Sequence, residues 1–383
     1  MVAPPLPVLL DATSLPPNKG GVARYLAGLL RGLSDEGESV HVVVKPGDRA
    51  WLAEQAPEHR YVEAPGWVAS RPLRLLWEQV GLPATARRVG ARVIHSPHYT
   101  FPLVASRRVV VTVHDATFFS SPDDHSRGKR AFFSTWIRLG RLLAAASVAP
   151  SAATAAETAR HAGPARGPVE VALHGVDRAA FPVPTGDEVA RFATAHQVDP
   201  ERGWLAFLGT VEPRKSVPAL VEAHRRIAES DPNAPPLLVA GGLGWDEEAR
   251  RLLIAAGDVP GARLRHLGYL RLDELPAFLG GATVVAYPST GEGFGLPVLE
   301  AMSTGATVLT TDRLALPEVG GDAVRYAEPD ADGIEAGLRA LLADPAERAR
   351  LSEAGTARAA TFTWAACAAV HRRLWAQVGR VAD

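Results

Sequence analysis

The chain has 383 residues, of which 47% are hydrophobic and 22% charged, with 41 Lys plus Arg against 42 Asp plus Glu. This length predicts two domains, and the near-balance of charge excludes a bulk field that would gather nucleic acid or an anionic membrane, leaving only a local patch open. No apolar run reaches the roughly 18 residues of a membrane span, and no charged segment precedes the short apolar stretch at the N-terminus, so a cytoplasmic protein is expected.

The lone cysteine, Cys367, sits among alanines in a helical pattern and reads as a small buried hydrophobe. HExxH and CxxC are absent, and Asp330-x-Asp332 stands where a helix should begin, so these acids read as a cap and no metal is expected.

In chain order, Leu6–Asp11 predicts a first strand, and Asn18-Lys19-Gly20-Gly21 a glycine turn into a helix over Val22–Leu33 with apolar residues at helical spacing. Val40–Val44 is a second buried-type strand, while Trp51–Pro65 shows no clear period. A helix broken at Pro83 is expected over Arg71–Val89, mixing Arg71, Arg74, Arg87 and Arg88 with leucines and Trp77. That mixture reads as a solvated face or as a surface for a membrane or lipid-linked partner. Strands follow at Arg92–His95 and Arg108–Asp115. The second ends in His114-Asp115, at the carboxyl end where open parallel sheets place ligands. Ser147–Ser151 predicts a strand with Ser151 capping the next helix, and Val169–Leu173 closes the first half. Pro182 and Pro184 place the boundary near residue 182, giving domains 1–181 and 182–363.

The second half repeats the alternation. A strand over Trp204–Gly209 leads into the loop Thr210–Lys215, with Ser216 expected to cap a helix through Ile227. Further strands are expected at Leu237–Ala240, Arg263–Tyr269, Ala282–Tyr287 and Ala306–Thr311. Helices are expected at Ala331–Leu342, at Pro345–Ala359 and after Trp364. The densest chemistry lies between Tyr287 and Gly305. Gly291, Gly293 and Gly295 alternate through a turn, and Pro297 suits the first turn of a short helix opening near Leu296. That helix should bury Val298, Leu299 and Met302 and turn Glu300 toward a cleft or solvent, with Glu292 just ahead of it. Paired carboxylates beside an anion-favouring helix end suit a hydroxyl-rich ligand, because each can accept two hydroxyl protons.

The run Glu-Gly-Phe-Gly-Leu-Pro-x-Leu-Glu-Ala-Met over Glu292–Met302 resembles the signature of the family-four retaining glycosyltransferases of GT-B architecture. The resemblance covers most of the chain, firmly in the second half and more loosely in the first. It implies an α/β, GT-B fold: two doubly wound Rossmann-like domains facing across a cleft, with a C-terminal helix over 364–383 packing back onto the first. It further implies that Glu292 contacts donor-sugar hydroxyls, that the amides of Gly293, Phe294, Gly295 and Leu296 contact sugar and phosphate, and that Glu300 holds the ribose. The glycine pair Gly20 and Gly21 and the ring of His114 are implied to face the transferred sugar. Arg214 and Lys215 are implied to grip the donor diphosphate, although some relatives add an Arg where this chain has Thr210. His95 and His98 stand as acceptor-side candidates.

The implied activity is that of a mannosyltransferase-like hexosyltransferase. It would be retaining and independent of metal and cofactor, moving a sugar from a nucleoside-diphosphate sugar to an acceptor hydroxyl. GDP-mannose is the leading donor, with UDP- and dTDP-sugars also open. The acceptor is unknown, whether a glycan, a lipid-linked molecule or a small molecule. Peripheral contact with the inner membrane face is allowed, and no nucleic acid is expected. The alternatives are a sugar-nucleotide epimerase of the same fold and a non-catalytic sugar-nucleotide binding subunit.

Overall fold

A computed structural model of the protein describes residues 6–16, 19–199 and 201–381, so Asn18 of the first glycine turn lies outside the described residues. Two compact units form. One runs through Gly175 and takes in the C-terminal stretch from Phe362; the other is Val176–Thr361.

The first unit holds seven strands: β1 (Val8–Asp11), β2 (His41–Val44), β3 (Arg60–Glu63), β4 (Val93–Ser96), β5 (Val109–Thr112), β6 (Ala146–Ala149) and β7 (Val169–Val171). They pair in the order β3-β2-β1-β4-β5-β6-β7, parallel throughout. The second unit holds β8 (Leu205–Leu208), β9 (Leu237–Ala240), β10 (Leu264–Gly268), β11 (Val284–Tyr287), β12 (Val308–Thr310) and β13 (Arg325–Tyr326), in the order β10-β9-β8-β11-β12-β13, again all parallel. The central strands are buried along their whole length, as apolar strands without alternation must be when helices cover both faces of a sheet. In each unit the strand order reverses once, between β1 and β4 and between β8 and β11. A doubly wound sheet gathers its ligand-facing loops at such a reversal.

The last helix, Trp364–Val381, belongs to the first unit, where Trp364, Cys367, Leu374 and Trp375 share a core with β1 and the helix Gly21–Asp35. The approach is close enough to require glycine: a Cβ at Gly28 would stand 2.1 Å from the Trp364 indole. A buried polar group ties the same helices to the sheet. Tyr25 Oη lies 3.0 Å from both Thr112 Oγ1 and His371 Nε2, and Trp375 Nε1 donates to His95 Nδ1 at 3.3 Å. His371 Nδ1 lies 2.8 Å from the Cys367 carbonyl, which makes it the donor there and leaves Nε2 to accept from Tyr25. Burial holds both histidines neutral, below the ordinary imidazole range. His95 is therefore a core residue, 0% exposed.

Several expectations are corrected. The helix Arg71–Arg88 runs unbroken through Pro83, whose cost is offset because Pro83, Trp77, Leu82 and Ala86 all pack into the core. Its arginines are not all solvated: the Arg74 side chain is 12% exposed and ion-paired with the buried Glu78 at 2.8 Å. The stretch without clear period holds the end of the helix Pro46–Gln55 and β3. Ser216 makes no side-chain cap and adopts left-handed angles, φ 49° and ψ 36°. Ser151 and Asp330 do cap, accepting from the amides of Thr154 and Gly333. Among the described residues no helix is long and apolar enough to cross a membrane.

Candidate active site

At the strand reversal of the second unit, the loop after β8 meets the glycine loop after β11. The Thr290 amide donates to the Arg214 carbonyl at 2.7 Å, and Ser289 Oγ lies 3.1 Å from the same oxygen. Gly295, in left-handed conformation at φ 102°, turns the chain into the helix Leu296–Ser303; a Cβ there would also meet Leu316 at 2.8 Å.

This junction brings Arg214, Lys215 and Glu292 together. Arg214 Nη1 pairs with Glu292 Oε1 and bonds the Gly291 carbonyl at 3.0 Å, while Nε and Nη2 each reach Glu212 Oε2 at 2.8 Å. Glu292 Oε1 also accepts from Tyr287 Oη at 2.7 Å and lies 3.1 Å from Ser289 Oγ. Lys215 is buried, with Nζ 5.0 Å from the Tyr287 ring centroid, and a Cβ at Gly209 would stand 2.7 Å from that Nζ. Burial alone would raise the Glu292 carboxyl, but Arg214, Lys215 and the Tyr287 hydroxyl outweigh it and bring it down to about 2. Burial first and then the Glu292 charge raise Tyr287, and the same charge raises Arg214 against the cost of its burial. The result is a fixed carboxylate, ionised at neutral pH, against a compact cation.

Phe294 is buried beneath the loop, and Leu296 is half-buried. Glu300 is 2% exposed and so is not turned to solvent; Val298, Leu299 and Met302 of its helix are buried as expected. Sequence reasoning passed over Glu212, Tyr287 and Ser289. The Tyr-Pro-Ser step at the carboxyl end of a buried strand was the available signal for the last two.

In the first unit, His114 follows β5, and its Nε2 lies 2.6 Å from the Pro97 carbonyl. Burial lowers its pKa, against the Pro97 carbonyl and Asp115, so the neutral ring donates through Nε2 to Pro97 and offers Nδ1 as an acceptor. Gly20 is the N-cap of the helix Gly21–Asp35, and among the described residues, chain neighbours and the helix's own backbone aside, no atom lies within 4 Å of a Cβ built on Gly20 or Gly21. Unlike Gly28, this pair is not demanded by packing.

Two parallel doubly wound sheets, each with its own strand reversal, define the GT-B class. Sucrose-phosphate synthase from Thermosynechococcus elongatus superposes with a TM-score of 0.79 at 20% identity, covering 98% of this chain and 100% of that one. The Anabaena protein HepE in complex with UDP-glucose superposes at 0.72 and 17% identity, covering 98% and 99%. By sequence, residues 19–180 match the model of Glycosyltransferase Family 4 and residues 189–358 that of Glycosyl transferases group 1. The two models together take in most of the chain, which belongs to the glycosyltransferases. An O-antigen chain mannosyltransferase B of Escherichia coli is 37% identical over 167 residues, which are 43% of this chain and 44% of that protein. The chain spans about half the length of the curated relatives it matches.

Proposed function

We propose that the protein transfers a sugar, with GDP-mannose the leading donor, from a nucleoside-diphosphate sugar to an acceptor hydroxyl with retention and without metal. The acceptor oxygen bonds to the anomeric carbon as the bond from that carbon to the diphosphate breaks. The diphosphate leaves with the electron pair, and the hydroxyl proton passes to phosphate or solvent. The observation that carries this reading is the Glu292–Arg214–Lys215 junction at the strand reversal: Glu292 stays ionised to accept sugar hydroxyl protons, and Lys215 supplies positive charge for the departing diphosphate. Arg214 spends its donors on Glu212, Glu292 and Gly291, so in this reading it holds Glu292 and adds charge from behind.

The amides from Gly293 to Leu296 take the phosphate, and Glu300 takes the ribose once its helix end adjusts. Gly20 and Gly21 admit the sugar; the lack of any packing demand for glycine there supports this role. Mannose as the sugar is supported by the E. coli relative, and a UDP-sugar by the Anabaena complex. The exposed Leu73, Leu76 and Val80 on one face of the 71–88 helix, beside Arg87 and Arg88, support peripheral contact with an anionic membrane face. The alternatives of epimerase and silent binding subunit draw no support from the named relatives, among them a mannosyltransferase and a D-inositol 3-phosphate glycosyltransferase.

A panel of sugar nucleotides tested by thermal shift checks the donor, the right one stabilising by about 2.7 kcal/mol at 100 times its dissociation constant. With that donor, Glu292→Gln should lower turnover by about 100-fold, excess chelator should leave it unchanged, and NMR of the product should show the donor's anomeric configuration. Stabilisation by no sugar nucleotide would overturn the proposal.

A further inference from the structure

The first unit has its own strand reversal, between β1 and β4, and there the structure holds a cavity of about 680 Å³. Thr13 and Ser14 enter it from the loop after β1, and His98 and Thr100 from the loop after β4, the placement an open parallel sheet gives to a bound ligand. Its remaining walls combine cations with aromatic rings. Lys45, Arg71 and Arg74 bring positive charge, and the helix Arg127–Leu143 adds Lys129 beside the aromatic rings of Phe132 and Phe133; none of the described lining residues is acidic.

The positive charge is only partly balanced from behind. Lys45 lies 3.2 Å from Asp48, which also pairs with Lys19. Arg74 pairs with Glu78 and lies 4.0 Å from Asp11. Arg71 and Lys129 stand on the exposed rim, and Arg71 has no ion-pair partner among the described residues. The bias extends along the chain: residues 66–109 carry seven arginines and one acid, the buried Glu78, in a protein whose formal net charge is −1. His98 adds hydrogen bonding without charge, since burial first, then His114 and Arg74, lower its pKa to about 3.

We infer that this cavity binds a phosphate ester. The phosphate faces Arg71, Arg74 and Lys129, the hydroxyls of the ligand meet Thr13, Ser14 and Thr100, and its carbon skeleton lies on Phe132 and Phe133. A planar guanidinium and a lysine together suit a phosphate's charge and geometry. A two-substrate transfer needs an acceptor besides the nucleotide sugar, and this ligand fills that place. Only the word acceptor rests on the sugar-transfer reading; the phosphate site does not.

The test is calorimetric titration of the full chain with glucose 6-phosphate and with glucose, at saturating nucleoside diphosphate so that phosphate sites of the second unit are filled. Glucose 6-phosphate should bind at least tenfold more tightly than glucose. Arg71→Ala with Lys129→Ala should weaken it by roughly tenfold or more, and Ala69→Trp, which fills the cavity rim and removes no charge, should do the same. Nucleotide affinity should not change in either variant. Phosphatidylglycerol vesicles that displace glucose 6-phosphate would identify a lipid headgroup as the source of the phosphate, and vesicles that leave it bound a soluble ester. Equal affinity for glucose and glucose 6-phosphate, or full binding in both variants, overturns the inference. Failure of the sugar-transfer reading would appear separately, as loss of nucleotide binding or turnover with the phosphate ester still bound.

Discussion

Each unit sets a carboxylate against an arginine in its interior, Glu78 on Arg74 and Glu292 on Arg214, and the two pairs behave oppositely. In the first unit Glu78 lies 2.8 Å from Arg74 and accepts from Thr100 at 2.7 Å, yet burial, aided by repulsion from Asp11, pushes it up to about 7. In the second unit burial also opposes ionisation of Glu292, but Arg214, Lys215 and the Tyr287 hydroxyl bring it down to about 2. A single arginine does not decide the charge of a buried acid. The count of cations and donors against neighbouring acids does. Glu78 is thus built to carry its proton into the neutral range, a structural acid behind a cationic cavity, whereas Glu292 is a permanent anion.

The comparison breaks most sharply at Arg214. Arg214→Met leaves Glu292 buried with reduced compensation and should cost about 3–5 kcal/mol in denaturant unfolding; a loss below about 1 kcal/mol would mean that Lys215 and Tyr287 suffice. Next comes the acid limb. Because the folded pKa of Glu292 is depressed, its contribution is in place above the unfolded value near 4.5 and is lost as pH falls toward 2, a swing on the order of 3 kcal/mol that Glu292→Gln should flatten. Glu78 should give the opposite slope. Its folded pKa is raised, so its contribution is present below the unfolded value and lost as pH rises through about 7, a change of about 2–3 kcal/mol. The protection factors of the β4 and β5 amides across that range should follow it, and Glu78→Gln should remove that trend from them.

Much of the fold could be read from unbroken apolar strands separated by glycine and proline turns, and the glycine loop around Glu292 stood out because Gly291, Gly293, Gly295 and Pro297 each carry a backbone meaning. Less visible were features set by distant partners. The path of the 71–88 helix through Pro83 depends on what that face packs against. The packing of the helix Leu296–Ser303 on the helix Pro345–Ala359, whose Gly355 lies against Met302, is set by a partner about 50 residues away. The Arg74–Glu78–Asp11 group joins a strand end to a helix 60 residues later, a separation at which local pattern carries no signal. The direction of the His114 hydrogen bond likewise required the position of the Pro97 carbonyl.

The interleaved chain has a consequence for biosynthesis. As the polypeptide leaves the ribosome, every residue of Val176–Thr361 emerges before Trp364, His371 and Trp375, which complete the core of the unit that began first. The earlier-made half must therefore wait, with Gly28, Gly32 and Tyr25 lacking their final neighbours, while the later-made half has all it needs to close. A nascent chain stalled before residue 364 should carry a protease-resistant second unit beside a digestible first.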